Sequence, residues 1–235
     1  MTHSHIQTEL RKHANPAKAQ LLAGFFKTGT GQYGEGDIFL GITVPEQRKI
    51  ARAYHELPRV ELTKLLHSEI HEERLTALII LVIQYKNADA KDKKDICSFY
   101  LTQTHWINNW DLVDVTCSNI VGDFLVSQNN WKILTTLAHS NNLWEKRIAI
   151  ISTLAFIYAG NSTPTITVAT ILLQDTHDLI QKAVGWMLRE VGKRIDEKVL
   201  THFLDTHYKT MPRTTLRYAI ERLSPHQKAH YMAKK

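Results

Sequence analysis

Five stretches of this chain repeat one another. 70-IHEERLTALII-80, 107-INNWDLVDVTC-117, 143-LWEKRIAIIST-153, 178-DLIQKAVGWML-188 and 213-RTTLRYAIERL-223 align so that Arg74, Asp111, Arg147, Lys182 and Arg217 share one column. The column recurs about every 36 residues, and a run of small or apolar residues at helical spacing follows it each time. A unit of that length holds two helices. A single pair cannot bury its own apolar stripes, so each pair must stack on the next.

The pattern therefore predicts an all-α fold, a HEAT-like helical-repeat solenoid (an α–α superhelix) forming one domain over 1–235, with an N-terminal helix at 1–14. The period is close to that of tetratricopeptide repeats, but the W-x-x-L-G-x-x-Y pattern of those repeats is missing. Helices are expected near 4–14, 16–28, 45–56, 59–67, 70–86, 90–104, 109–127, 129–139, 142–159, 164–174, 177–194, 196–208, 212–222 and 225–233. Pro16, Pro45, Pro164, Pro212 and Pro225 stand where first helical turns begin. No strand alternation is present, and 28-TGTGQYGEGDIFLGIT-43 is the one long irregular stretch.

Hydrophobic residues make up 43% of the chain, enough for a sizeable core. The most apolar run, 77-ALIILVI-83, is far too short to span a bilayer. The N-terminal residues contain no apolar h-region, so no secretory signal is expected. Cys97 and Cys117 lie in apolar helical context outside any C-x-x-C pair, which fits packing roles in a reducing compartment. A soluble cytoplasmic protein, not bound to membranes, is the expectation.

In a solenoid the equivalent helix of each pair lines a concave surface, and four of the five column residues are cationic. Arg48 and Arg52 in the helix near 45–56 widen the row, as do Lys146, Arg189, Lys193, Arg194 and Arg213. With 29 Lys+Arg against 23 Asp+Glu, the formal charge is +6. A curved basic groove suits a nucleic-acid backbone. The alternative is that these are solvated helix faces whose long stems cover apolar surface.

The column changes character at Asp111, with Trp110 and Asp114 beside it. Trp110 and Asp114 are four residues apart and share a helix face. Measured from the column position, the helical angles are about −100° for Trp110, −60° for Asp114, 0° for Arg147 and +40° for Trp186, which places all four in one arc of the expected groove. Two indoles and a carboxylate suit a cation or a cationic transition state. In nucleic acid, a sugar becomes oxocarbenium-like as its glycosidic bond breaks. Against this stand the ordinary readings of core tryptophans and a capped or paired helix aspartate.

On these residues the chain resembles the DNA alkylation repair glycosylases of the AlkD type. The motifs are 108-NNWDLVD-114, 143-LWEKRIAI-150 and 180-IQKAVGWMLREVGKR-194, supported by 33-YGEGDIFLGITVPEQRKIA-51 and 211-MPRTTLRYAIE-221. The similarity runs from about residue 15 to residue 222. It implies a monomer that binds double-stranded DNA and excises cationic N3- and N7-alkylpurines with neither metal nor organic cofactor. Asp114 matches the catalytic aspartate of W-D-x-V-D, and Trp110 and Trp186 match the two active-site tryptophans. Arg147 matches an arginine that contacts the DNA backbone near the lesion. Phe25 falls near an N-terminal aromatic that completes the cleft, where the family usually has tyrosine. The resemblance also implies catalysis without drawing the base into a pocket. No lysine beside the expected cleft offers a Schiff-base nucleophile, so hydrolysis to an abasic site without strand cleavage is expected.

Competing signals are weak. Gly29, Gly31 and Gly34 satisfy G-x-G-x-x-G, but no strand precedes them and no parallel sheet is in prospect. His67 and His71 are four apart without a third ligand, and a solvated helix face is the expectation for both. Two other functions remain open at this stage: a non-catalytic relative that recognises DNA structure, and a peptide-binding helical scaffold. Retention of Asp114 with both tryptophans argues against the first, and a cationic row argues against the second.

Overall fold

The computed structural model describes residues 1–233. Among them the regular structure is helical, and the only β interaction is an isolated bridge between Ile38 and Ile70. The helices are α1 (His3–Lys12), α2 (Pro16–Phe25), α3 (Val44–Ala53), α4 (Arg59–Leu66), α5 (His71–Asn87), α6 (Ala90–Thr102), α7 (Trp110–Asp114), α8 (Asp123–Ser127), α9 (Lys132–Ala138), α10 (Leu143–Tyr158), α11 (Thr163–Ile171), α12 (Asp178–Arg194), α13 (Glu197–His207), α14 (Arg213–Ala219) and α15 (Pro225–Met232). A π-helical turn, Ser118–Gly122, precedes α8. The fold is an all-α helical repeat of the solenoid class. No described helix is long and apolar enough to cross a membrane.

Start signals account for many of the helix beginnings. Pro16, Pro45, Pro164 and Pro225 occupy first turns, where a missing N–H costs nothing. Pro212 instead stands at the cap of α14. Asn15, Asp89, Asn142, Asp196 and Ser224 accept backbone N–H groups as N-caps.

The helix expected over 109–127 is broken. It runs as α7, an irregular turn, the π-helical segment and then α8. The cause is local. The Thr116 hydroxyl donates back to the carbonyl of Leu112 and pairs with the Tyr100 hydroxyl, while the Thr116 N–H bonds to Val113 three residues back. Such back-bonding bends helices. The break coincides with a division of the chain into two compact units, 1–116 and 117 onward.

In the first unit α5 is the central helix: α3 and α4 pack along it, and α1, α6 and α7 lean on it. Its core includes Leu62, Leu65, Leu66, Leu75, Leu78, Leu81 and Tyr85, all buried. In the second unit the equivalent helices stack in succession, α10 on α12 and α12 on α14, with α9, α11 and α13 packed behind. Gly185 makes the last crossing possible, because a Cβ there would sit 2.4 Å from the Thr215 carbonyl oxygen.

Candidate functional site

The site is built outward from α7, a helix of only five residues. Asn109 precedes it in extended conformation, and its side-chain oxygen accepts the Trp110 N–H at 2.8 Å. The other end of that side chain donates to Asp37 Oδ2 at 3.0 Å. Asp111, the column residue, turns inward. Its Oδ1 accepts the Leu112 N–H at 2.9 Å, and its Oδ2 lies 2.8 Å from His71 Nε2. The flanking Trp110 and Asp114 are half-buried.

Under α7 lies a charged network that the sequence reading missed. 71-HEER-74 opens α5 and looks like a solvated first turn, yet all four residues are buried. His71 Nδ1 is 3.0 Å from Asp37 Oδ2, and Arg74 bonds both Asp37 Oδ1 and the Ser68 carbonyl. Glu72 accepts the backbone N–H groups of Leu40, Gly41 and Ile42, which ties down the 28–43 loop. Glu73 accepts from Gln7 at 2.8 Å, with Arg11 at 3.3 Å. His71 is thus no surface residue. His67 is exposed, stacks on Trp106 and bonds Gln103 at 2.7 Å, so the two histidines do different things. Among the described residues no cluster is suited to a metal ion.

Burial works against a charge on His71, but Asp111 and Asp37 outweigh it and raise the ring's pKa to about 9. Burial likewise opposes ionisation of Asp37, and bonding from His71 with the charge of Arg74 prevails and lowers its pKa.

Aromatic rings complete this region. Trp110 stacks on Phe26 (5.0 Å, 16°), Phe26 on Phe39 (5.0 Å, 20°), and Phe39 on His71 (4.6 Å, 24°). Phe25 is 63% exposed and meets Trp110 edge-on at 5.8 Å. The buried Phe26, not singled out from sequence, forms the bed of the indole. The doublet Phe25-Phe26 at the end of α2 was the available signal. An apolar cavity of about 310 Å³ adjoins the stack, lined by Leu21, Leu22, Phe39 and Leu75, among others.

In the second unit, Trp186 is half-buried on α12, directly after the Gly185 crossing. Arg147 on α10 is 5% exposed, and its Nη1 donates to the Leu179 carbonyl at 2.6 Å. With Arg74 also buried, two column cations serve as internal ties. Lys182 is paired with Asp178, Lys146 with Asp175, and Arg189 with Glu190 and Glu221. Arg194 is bonded to Glu190 and lies over Tyr158, and Arg213 donates to the Met232 carbonyl. Arg48, Lys193 and Arg217 are exposed and make no ion pair among the described residues.

Comparisons with known proteins bear on the family and the fold. A family model described as "DNA alkylation repair enzyme" matches residues 6–223. A solved structure described as a "Predicted DNA alkylation repair enzyme from Enterococcus faecalis" superposes with a TM-score of 0.69 at 17% identity, over 91% of this chain and 98% of the other. At that identity the likeness speaks for the fold alone. No curated protein matches the chain.

Proposed function

The chain belongs to the DNA alkylation repair enzyme family, and from that premise we propose that it is a monofunctional glycosylase acting on cationic N3- and N7-alkylpurines in duplex DNA. An alkylated purine already carries positive charge. When the C1′–N bond breaks, the bonding pair leaves with the base, which departs neutral, and the sugar becomes oxocarbenium-like. Water then adds to C1′ and loses a proton, leaving an abasic site. The protein's tasks are to stabilise the sugar cation and to position the water.

Asp114 is the carboxylate assigned to both tasks, and Trp110 presents an indole four residues away on the same short helix. The motif match assigns Trp186 to an aromatic contact with DNA, whereas Arg147, matched to a backbone-contacting arginine, is buried and ties α10 to the Leu179 carbonyl instead. The observation that carries the reading is α7 itself: a W-D-x-V-D helix within the family match, its tryptophan bedded on Phe26 and its start anchored by buried charges.

The test is incubation of the purified protein with methylated duplex DNA and detection of free base. Asp114→Asn should keep DNA binding and slow excision about 10²–10³-fold. A fully active Asp114→Asn protein, or strand cleavage in place of an abasic product, would remove the proposed chemistry.

A further inference from the structure

His71 takes no part in the reaction just described, yet the elements around Trp110 converge on it. We propose that His71, bridging Asp37 and Asp111, is the positioning residue of this site: it sets where α7 begins and how Trp110 and Asp114 are presented. The inference rests on the glycosylase reading and deepens it.

Two separate links run from the ring to the indole. The first is through the chain. Asp111, bonded to His71 Nε2, follows Trp110; Asn109, bonded to the same Asp37 oxygen that meets His71 Nδ1, precedes it. The residues on both sides of Trp110 therefore hang on one carboxylate–imidazole–carboxylate bridge. The second link is the ring stack His71–Phe39–Phe26–Trp110. A five-residue helix has too few internal hydrogen bonds to hold its own direction, so these anchors must supply it.

The bridge also dictates a protonation state. A neutral imidazole has one N–H and one acceptor nitrogen. Carboxylate oxygens at 3.0 Å from one nitrogen and 2.8 Å from the other call for two donors, hence an imidazolium. The charged groups facing the ring are Asp37 from the loop, Asp111 from α7 and Arg74 from α5 itself, while Glu72 turns away to backbone N–H groups. The ring is 2% exposed. Losing its proton leaves one buried carboxylate without its donor and loosens the start of α7, with the exposed cations untouched.

The experiment uses the full chain, first without DNA. In protein with ¹⁵N-labelled histidine, the ring signal absent from His71→Gln should show both nitrogens protonated at pH 8 and titrate near pH 9, in line with its pKa of about 9. Trp110 emission, taken as wild type minus Trp110→Phe, should shift with the same midpoint and be altered at all pH values in His71→Gln. With alkylated duplex at saturating protein, His71→Gln should slow single-turnover excision roughly ten- to a hundred-fold while DNA affinity holds, as expected of a misplaced catalytic group. If no excision is seen in either protein while the ring and Trp110 titrate together, the glycosylase reading fails and the positioning role stands. A ring that titrates near pH 6.5, or Trp110 emission that does not follow it, overturns the proposal. Should His71→Gln fail to fold, the wild-type emission titration still decides, with the ring signal located through Asp37→Asn.

Discussion

The guanidinium of Arg147 on α10 donates to the carbonyl of Leu179, at the start of α12, over 2.6 Å. The cation that recurs in the repeat column is here a tie between successive repeat helices, as it is at Arg74 between α5 and the loop ahead of it. A recurring charge is therefore not evidence of a ligand surface at every position it occupies.

Salt dependence separates the two kinds of cation. Substituting alanine at Arg48, Lys193 or Arg217, which are exposed and unpaired among the described residues, should flatten the slope of log affinity for duplex DNA against log salt by about 0.9 for each one that meets phosphate. Lys182→Ala should change the slope less, since Asp178 already neutralises that lysine in the free protein. Arg147→Ala should instead lower thermal stability, by about 1–3 kcal/mol, because α10 and α12 lose a buried charge-assisted hydrogen bond between them. Filter binding across a salt series and thermal melts check all of these.

Stability should fall at alkaline pH. The folded-state pKa of His71 is raised from 6.5 to about 9, so its contribution is complete below pH 6.5 and is lost as the pH rises through 9. The shift corresponds to an upper bound on the order of 3 kcal/mol, or roughly 5–10 °C in Tm for a chain of this size. Asp37 acts in the opposite sense: its pKa is lowered, so its contribution is present above the ordinary carboxylate range and is lost as the pH falls through the depressed value. Melts from pH 3 to pH 10 should show wild type losing stability at both ends. His71→Gln should be less stable at pH 6 and nearly flat from pH 6.5 to 9. A wild type equally stable at pH 6.5 and pH 9.5 contradicts the expectation.

Gly185→Ala should destabilise by about 1–3 kcal/mol, since its methyl group would meet the Thr215 carbonyl oxygen at 2.4 Å and force α12 and α14 apart beside Trp186. Gly24→Ala, on α2 with nothing within 4 Å of the added carbon, should instead stabilise by about 0.5–1 kcal/mol through helix propensity. Chemical denaturation of the two variants gives opposite signs, or the packing argument is wrong.

Much of the architecture is legible in the sequence. The column of Arg74, Asp111, Arg147, Lys182 and Arg217 announces stacked helix pairs, and α10 packs on α12 and α12 on α14 accordingly. The motif W-D-x-V-D likewise marked α7. The interruption after Asp114 was not legible, because an apolar stripe continues through 109–127 and the break comes from where the Thr116 hydroxyl finds its partners. The burial of 71-HEER-74 was hidden for a related reason. Charged residues at a helix start read as solvated unless their partners are known, and Asp37, Asp111 and Gln7 lie 34, 40 and 66 residues from the side chains they meet.

Helical class, repeat period and family motifs are local or periodic properties, carried by residues a few positions apart, and they can be read without a structure. Which charges face solvent and which tie helices together, that Phe26 carries the indole, and that a histidine with carboxylates on both sides anchors α7 were decided only by the tertiary structure. Burial and hydrogen bonding depend on distances through space between residues that the chain keeps far apart.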